Sequence, residues 1–289
     1  MTRNQTTRRA AALGRASRRA VLLGLAALPL AGFSVEQLFA PSADLWERWQ
    51  AHDPASTQSI DHGAWSRFLA AHVRADDQGV NRIAYGRIPQ AERAALADYV
   101  RRLAAVPVSR FARPEQFAYW VNLYNALTVQ VVLENLPVDS IRDIDISPGL
   151  FADGPWDKEL VSVEGEDVSL NDIEHRILRP IWRDPRIHYA VNCASVGCPN
   201  LQASAFTAAD SEQLLERAAR DYVNHPRGCR VAGGKLRVSS IYIWFQEDFG
   251  DSDRGVIAHL KRYAAPALAA QLDRVDGIDG HDYDWALNG

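Results

Sequence analysis

The sequence predicts a helix-rich α+β fold with a small, mostly antiparallel sheet. Three observations support this prediction: several segments have apolar residues at helical spacing, the candidate strands are short, and Gly233-Gly234 has the pattern of a hairpin turn. The composition is that of a globular protein, with 47% hydrophobic and 24% charged residues. No internal repeat or low-complexity linker divides the chain, so we expect a single domain over residues 41–289.

Residues 1–40 have the pattern of an export signal. They contain six arginines and a single acidic residue, and the pair Arg18-Arg19 precedes an apolar stretch over Ala20–Leu30. This arrangement is typical of a twin-arginine signal, with a Sec signal as the alternative. The apolar stretch is shorter than the roughly 20 residues that a membrane-spanning helix needs. We therefore expect a periplasmic or secreted protein without stable membrane insertion.

The charge of the remaining chain argues against a nucleic-acid partner. Acidic residues outnumber basic ones after residue 40, and no run of Lys or Arg occurs there. The three cysteines, Cys193, Cys198 and Cys229, are too few for a disulfide framework. Our leading hypothesis involves neither a cofactor nor a metal. We expect the substrate to be a small molecule or a peptide, which the sequence does not identify.

The strongest helix prediction covers Pro114–Glu134. Its apolar residues recur at spacings of three and four, and Asn135-Leu136-Pro137 provides a stop signal. Asn122 and Asn125 lie on one flank of this helix. Because Asn is a poor helix former, both residues need a reason. Either both bond to nearby loop backbone, or one orients a catalytic imidazole or donates to an oxyanion.

A second helix is predicted after a strand and turn over residues 160–167. Ser169 and Asp172 match a capping box, and the helix ends at Arg179 before a proline. It carries Glu174 and His175, which are adjacent in sequence and therefore point about 100° apart on an α-helix. On that geometry Glu174 is poorly placed to orient His175.

A short strand is predicted over Arg186–Asn192, because this stretch contains β-branched and aromatic residues and neither Gly nor Pro. It leads directly into a small-residue loop that contains Cys193 and Cys198. Loops at strand ends commonly carry reactive groups. Further along, the sequence predicts a helix over Gly255–Leu272 that is broken at a proline, and a docked segment or final strand at Asp282–Trp285.

Four separated stretches together resemble the DUF547 family. They are residues 117–127, the helix over 169–179, the segment 186–201 and the aromatic segment 240–250. The resemblance covers about residues 75–265 and implies a bacterial, exported member of a family without an assigned function. It suggests a papain-like or transglutaminase-like fold as a hypothesis. In plant members the resemblance implies a cysteine at the position of Cys193 but not at that of Cys198, so a disulfide between them is not what all members share.

The leading hypothesis is that Cys193 is the nucleophile of a thiol hydrolase or acyl-transferase. A thiolate needs a neighbouring base or cation, and His175 and His188 are the candidates, with Asn122 and Glu174 also counted as site residues. The small residues after Cys193 would admit an oxyanion to the backbone N–H groups.

Three alternatives stay open. Cys193 and Cys198 could form a structural or redox disulfide; the two cysteines with His175 and His188 could bind zinc; or the domain could be a non-catalytic binding module. Other polar residues are interpreted as structural. Arg179 and Arg186 are expected to pair with acids such as Glu174, and Asp248 to close a turn. Cys229 is expected to be an incidental thiol, and the remaining histidines, including His62 and His259, are expected at the surface.

Overall fold

The computed structural model describes residues 40–148 and 154–289, so the predicted export signal lies outside the described residues apart from Ala40. The described chain is about 47% helical, with small antiparallel sheets, which confirms the α+β prediction. The α-helices are α1 (Gly63–His72), α2 (Gln90–Ala104), α3 (Arg113–Glu134), α4 (Arg179–Trp182), α5 (Ile187–Ala190), α6 (Ser211–Val223), α7 (Ile241–Trp244), α8 (Asp253–Tyr263) and α9 (Pro266–Leu272).

Seven short strands form three small sheets in the described chain. They are β1 (Val73–Ala75), β2 (Asn81–Ile83), β3 (Val161–Val163), β4 (Glu166–Val168), β5 (Cys229–Ala232), β6 (Lys235–Ser239) and β7 (Gly280–Asp282). The pairs β1–β2, β3–β4 and β5–β6 are antiparallel. The predicted hairpin at Gly233-Gly234 is confirmed, and β7 adds to β6 in parallel. Strand β7, which lies close to the C-terminal end of the sequence, is therefore an edge strand of this sheet.

Helix α3 lies at the centre of the larger apolar core, as the sequence pattern predicted. Its residues from Gln116 to Val129 are buried on every side, which is typical of a helix enclosed by other elements. Pro114 occupies its first turn and Asn135 its C-cap. A second apolar cluster joins α6, α8 and the β5–β6 hairpin. The prediction of a single domain over residues 41–289 stays a prediction.

The predicted strand over Arg186–Asn192 is wrong, because the chain forms a helical turn there. The Asp184 carboxylate accepts the Arg186 N–H at 2.9 Å, and the Asp184 carbonyl accepts the Ile187 N–H at 3.1 Å. These bonds start α5, which ends before Val191 returns to extended backbone. The turn at Asp184 and the burial of Ile187 thus override the strand propensity of the β-branched residues.

The capping box at Ser169 is confirmed, but the helix after it is wound differently from the prediction. Asp172 donates its N–H to the Ser169 hydroxyl, and its carboxylate accepts the Ser169 N–H. Asp172–Leu178 then forms a π-helix that continues into α4, and the Arg179 N–H donates to the Glu174 carbonyl. Among the described residues, every helix is too short or too polar to cross a bilayer.

Candidate functional site

Two polar clusters lie near the predicted site residues, and the structure separates the cysteines from the histidines. The thiol cluster consists of Cys193, Cys198, Ser195 and Tyr283. The ion cluster consists of Glu174, His175, Arg179, His188 and Asp248, with Glu247 at its edge. Each cluster is built by different elements of the fold.

The thiol cluster is centred on two sulfur atoms 2.7 Å apart. Cys193 is half-buried and Cys198 is buried, and both are free thiols. Cys193 Sγ also contacts the Ser195 hydroxyl at 3.2 Å and the Tyr283 hydroxyl at 3.1 Å. The Cys193 backbone N–H donates to Cys198 Sγ at 3.1 Å. Among the described residues, no histidine nitrogen is hydrogen bonded to either sulfur.

Asn192 fixes the loop that carries the two thiols. Its side-chain oxygen accepts the Ala194 N–H at 2.9 Å, and its amide donates to the Pro199 carbonyl at 2.8 Å. The bonds therefore join both ends of the segment that contains Cys193 and Cys198. Ala194 has a φ of 58°, a conformation that a non-glycine residue adopts only when its surroundings hold it. The sulfur atoms are thus brought together by a locally over-determined loop.

The surroundings distribute the protons of the thiol pair unequally. Burial, together with the contact to Cys198, raises the pKa of the Cys193 thiol well above its usual value. Burial acts in the same direction on Cys198, but hydrogen bonds from Cys193 and Tyr283 outweigh it and lower the pKa of Cys198. The buried part of Arg227 provides a positive charge near Cys198. When one of the two thiols loses its proton, the thiolate is therefore favoured on Cys198.

The two asparagines of α3 hold the backbone around this loop. Asn125 donates to the Ala190 carbonyl at 2.9 Å and accepts the Asn192 N–H at 2.8 Å. Asn122 makes the same pair of bonds with the carbonyl and N–H of Phe206. Within the part of the chain that the structure describes, neither side chain is hydrogen bonded to a histidine. This geometry matches the interpretation that both residues bond to loop backbone; a catalytic role for Asn122 stays a prediction.

The ion cluster surrounds the His188 imidazole with carboxylates. His188 Nε2 lies 2.7 Å from Asp248 Oδ2, and His188 Nδ1 lies 3.6 Å from Glu174 Oε1. His175 Nε2 lies 3.9 Å from Glu174 Oε2. Both side chains are buried, but this last contact is longer than a hydrogen bond, so the expectation that Glu174 is poorly placed to orient His175 stays a prediction.

Arg179 closes the ion cluster. Its guanidinium bonds to Asp248 and Glu247, each at 2.6 Å, and to His175 Nδ1 at 2.9 Å. The expected pairing of Arg179 with acids is confirmed, although its partners are Asp248 and Glu247. Asp248, expected only to close a turn, is the residue that sequence reasoning missed. The signal was the aromatic segment around it, whose Phe245 ring stacks on His188 at 4.6 Å.

The pKa values in the ion cluster follow from burial and opposite charge. Burial lowers the pKa of His175 to about 4. For His188 burial acts in the same direction, but hydrogen bonds to Asp248 and Glu174 outweigh it and raise the pKa. Burial would raise the pKa of Glu174, yet its histidine neighbours and Arg179 lower it to about 2. Asp248 is likewise lowered to about 2 by His188 and Arg179, against the effect of burial.

The remaining contacts correct several expectations. Tyr124 lies between the clusters: burial raises its pKa well above the usual value, and Glu174 and both thiols act in the same direction. Cys229 is a buried core residue of β5. His62 is buried and bonded to Tyr99, and His259 is bonded to Tyr189. Among the described residues, no three His, Cys, Asp or Glu side chains are placed to hold a metal ion, and the zinc-site alternative is not confirmed.

Comparison with protein families identifies part of this chain. Residues 108–223 match the family described as "Protein of unknown function, DUF547". This stretch contains both cysteines of the thiol cluster and the π-helix, whereas Asp248 and Tyr283 lie after it. Comparisons with curated proteins and with solved structures gave no match, and the papain-like or transglutaminase-like fold is not confirmed. The similarity to the DUF547 family is therefore shown for residues 108–223, which is less than half of the chain.

Proposed function

We propose that Cys193 and Cys198 form a redox-active pair that exchanges electrons with thiols and disulfides of other molecules. The observation that carries this proposal is the distance of 2.7 Å between the two sulfur atoms in a loop held by Asn192. A disulfide forms when a thiolate attacks a neighbouring sulfur, so two sulfurs already in contact need little backbone movement.

The reaction proceeds in two exchange steps. Half-buried Cys193 passes its proton to the Cys198 thiolate through their direct contact and attacks one sulfur of a partner disulfide. This forms a mixed disulfide and releases one partner thiolate, which takes up the proton from Cys198. Cys198 then attacks Cys193 Sγ, which forms the internal disulfide and releases the second partner thiolate. The chain loses two electrons and two protons, and the partner disulfide becomes two thiols. The same steps in reverse allow an external dithiol to reduce the chain.

The environment of the pair supports thiolate chemistry. The Cys193 N–H donates to Cys198 Sγ, the hydroxyls of Ser195 and Tyr283 contact Cys193 Sγ, and Arg227 lies near Cys198. Hydrogen-bond donors and nearby cations stabilise a thiolate. A proton can pass between the two sulfurs through their direct contact, which allows either one to act as the nucleophile.

The geometry supports the thiol hydrolase prediction less well. That reaction needs a base beside Cys193, and His175 and His188 instead bond to Arg179 and Asp248. Catalytic roles for Cys193, His175, His188, Asn122 and Glu174 in acyl transfer stay predictions. A non-catalytic module with a permanent Cys193–Cys198 disulfide is the second alternative, and it differs from the redox proposal in how easily that bond is reduced.

We also propose that the protein acts after export. The arginine pair and apolar stretch of residues 1–40 support a twin-arginine signal and a periplasmic or secreted location. Disulfides form and persist in such compartments. A thiol–disulfide function is chemically suited to that location.

Reaction of the reduced protein with oxidised glutathione tests the proposal. The wild-type chain should release two glutathione thiols and finish with an internal disulfide. Cys198→Ser should release one thiol and retain glutathione on Cys193, whereas Cys193→Ser should react much more slowly. Cys229→Ala is the matched control, because Cys229 is buried in β5 and should leave the two-thiol result unchanged. Wild-type protein that releases no glutathione, or retains it without resolving the mixed disulfide, would contradict the proposal.

A further inference from the structure

The C-terminal strap, defined here as residues Tyr283–Asn288, runs along the loop that carries the thiol pair. The Gly197 N–H donates to the Asp284 carbonyl and the Val196 N–H to the Ala286 carbonyl, both at 2.8 Å. The Asn288 N–H donates to the Ala194 carbonyl at 2.9 Å. The strap therefore bonds to the backbone of the segment between Cys193 and Cys198. It lies outside the residues that match the family.

Close packing and outside anchors fix the position of the strap. A Cβ atom on Gly197 would lie 2.8 Å from the Asp284 backbone nitrogen, so the two backbones approach as closely as glycine allows. The Leu287 N–H donates to the Asp139 carbonyl at 2.7 Å, and the Ser140 hydroxyl donates to the Trp285 carbonyl at 2.8 Å. The first residue of the strap is consequently held in one place relative to the thiols.

That first residue, Tyr283, places its hydroxyl at the thiol pair. The oxygen lies 3.1 Å from Cys193 Sγ and 2.8 Å from Ser195 Oγ. Its ring packs against Trp244, with centroids 4.9 Å apart, and against Trp285, with centroids 4.6 Å apart. The aromatic neighbours hold the ring, so the hydroxyl is aimed at the sulfur independently of the bond it makes there.

We propose that Tyr283 is a positioning residue that stabilises the ionised thiol pair by donating a hydrogen bond to it. This proposal rests on the redox function proposed above. A thiolate can only accept hydrogen bonds, so the phenol O–H facing it must donate, either directly or through the Ser195 hydroxyl. Charge-assisted bonds of this kind are stronger than those between neutral groups.

The other ionisable groups around the thiols come from four elements. Tyr85 lies in the turn after β2, Tyr124 on α3, Tyr222 on α6, and Arg227 in the loop before β5. Burial raises the pKa of each of these three tyrosines. They therefore stay protonated over the pH range in which thiols titrate, and Arg227 stays charged. A change in the thiol profile after removal of the Tyr283 hydroxyl would accordingly report on that hydroxyl.

Tyr283→Phe tests the proposal, because it keeps the ring and removes only the hydroxyl. The rate of alkylation by iodoacetamide is measured against pH for the reduced protein in a Cys229→Ala background. We expect the profile to move upward by about one pH unit, as loss of one bond to a charged group implies. At a fixed pH below the midpoint the thiolate fraction then falls about tenfold and its nucleophilicity rises about threefold, so alkylation slows by about threefold.

Tyr263→Phe is the matched control, because the Tyr263 ring packs against His259 and Arg262. It should leave the alkylation profile unchanged. Gly197→Ala provides a second variant that displaces the strap through contact with Asp284 and should move the profile in the same direction as Tyr283→Phe. A merely structural Tyr283 would lower the melting temperature while the pH profile stays in place, and that result would overturn the inference.

The two proposals fail in different ways. If wild-type protein forms no internal disulfide with oxidised glutathione, the redox function is wrong whatever Tyr283 does. If the wild type releases two thiols and Tyr283→Phe has the wild-type alkylation profile, the redox function stands and the role of Tyr283 is wrong.

Discussion

The thiol cluster and the ion cluster are both buried and polar, but their polar atoms have different kinds of partner. In the ion cluster Arg179, His188 and the carboxylates have opposite charges within bonding distance. In the thiol cluster two thiols contact each other and two hydroxyls. A fully paired set of buried charges fixes structure, whereas weakly satisfied thiols keep the capacity to react. The comparison assigns stability to the first cluster and chemistry to the second.

The largest expected effect is the response of stability to acid, to which His175 of the ion cluster and two buried histidines outside both clusters contribute. Burial lowers the pKa of His175, His62 and His259 to about 4, so the unfolded chain binds protons first as pH falls below about 6.5. His188 opposes this trend because its pKa is raised in the folded protein. Its contribution to the free energy of unfolding is fully present below pH 6.5 and is lost as the pH rises through its folded-state pKa. We expect the free energy of unfolding to fall by several kcal/mol between pH 6.5 and 4.

Denaturant titrations across this range measure the trend. Each net proton taken up on unfolding contributes about 1.4 kcal/mol per pH unit. His175→Gln should remove one such contribution and flatten the curve. A wild-type stability that is level or rises on acidification would show that these histidines are not buried in the neutral form.

Arg179→Met is expected to cost about 4 kcal/mol, because it leaves Asp248 and Glu247 without their shared cation beside a buried imidazole. The Arg179 side chain is 1% exposed, so water cannot replace it readily. Arg220→Met is the control, since its side chain is 53% exposed and forms its ion pair at the surface with Glu216. Equal stability losses for the two variants, measured by chemical denaturation, would contradict the structural role of the ion cluster.

Asn125→Ala is expected to cost about 3 kcal/mol, because it leaves the Ala190 carbonyl and the Asn192 N–H buried without partners. The same change should slow disulfide formation, since Asn192 shapes the thiol loop. Gln130→Ala, on the same helix with a side-chain bond only to Glu134, should change stability by less than about 0.5 kcal/mol. If Asn125→Ala costs no more than this control, the loop does not depend on α3.

The smallest expected effect is that of oxidation, which should raise the free energy of unfolding by about 2 kcal/mol. A disulfide between Cys193 and Cys198 closes a short loop, and the entropy removed from the unfolded chain is correspondingly small. Denaturation of the oxidised and reduced proteins measures the difference, and the ion-cluster variants should shift both curves equally. A loss of stability on oxidation would mean that the thiol loop is not shaped for the bond.

The sequence predicted the local parts of this fold well. Helix α3, the capping box at Ser169 and the hairpin at Gly233-Gly234 each depend on residues close together in the chain. The helical turn at α5 was missed, because a turn closed by the Asp184 side chain and the burial of Ile187 decided it against the propensity of the β-branched residues. Local sequence patterns therefore predicted long helices, caps and hairpin turns more reliably than the conformation of short segments.

The candidate site was predictable only in part. The pattern around Cys193 and Cys198 indicated reactive thiols, and adjacency in the chain placed the two sulfurs close together. Asp248 and Tyr283, by contrast, reach their partners across 60 and 90 residues of sequence. No spacing rule links such residues, and the π-helical winding of Asp172–Leu178 was not predicted either. The sequence predicted a histidine beside Cys193, whereas His175 and His188 lie in the ion cluster.

The most direct test of the central claim is an equilibrium titration of Cys229→Ala protein in glutathione redox buffers, read by intact mass after alkylation. We expect a species that takes up no alkyl group, because Cys193 and Cys198 are joined; its fraction should rise with the proportion of oxidised glutathione and fall again when reduced glutathione is restored. Two thiols that alkylate fully in every buffer, or a disulfide that no glutathione ratio opens, would contradict it.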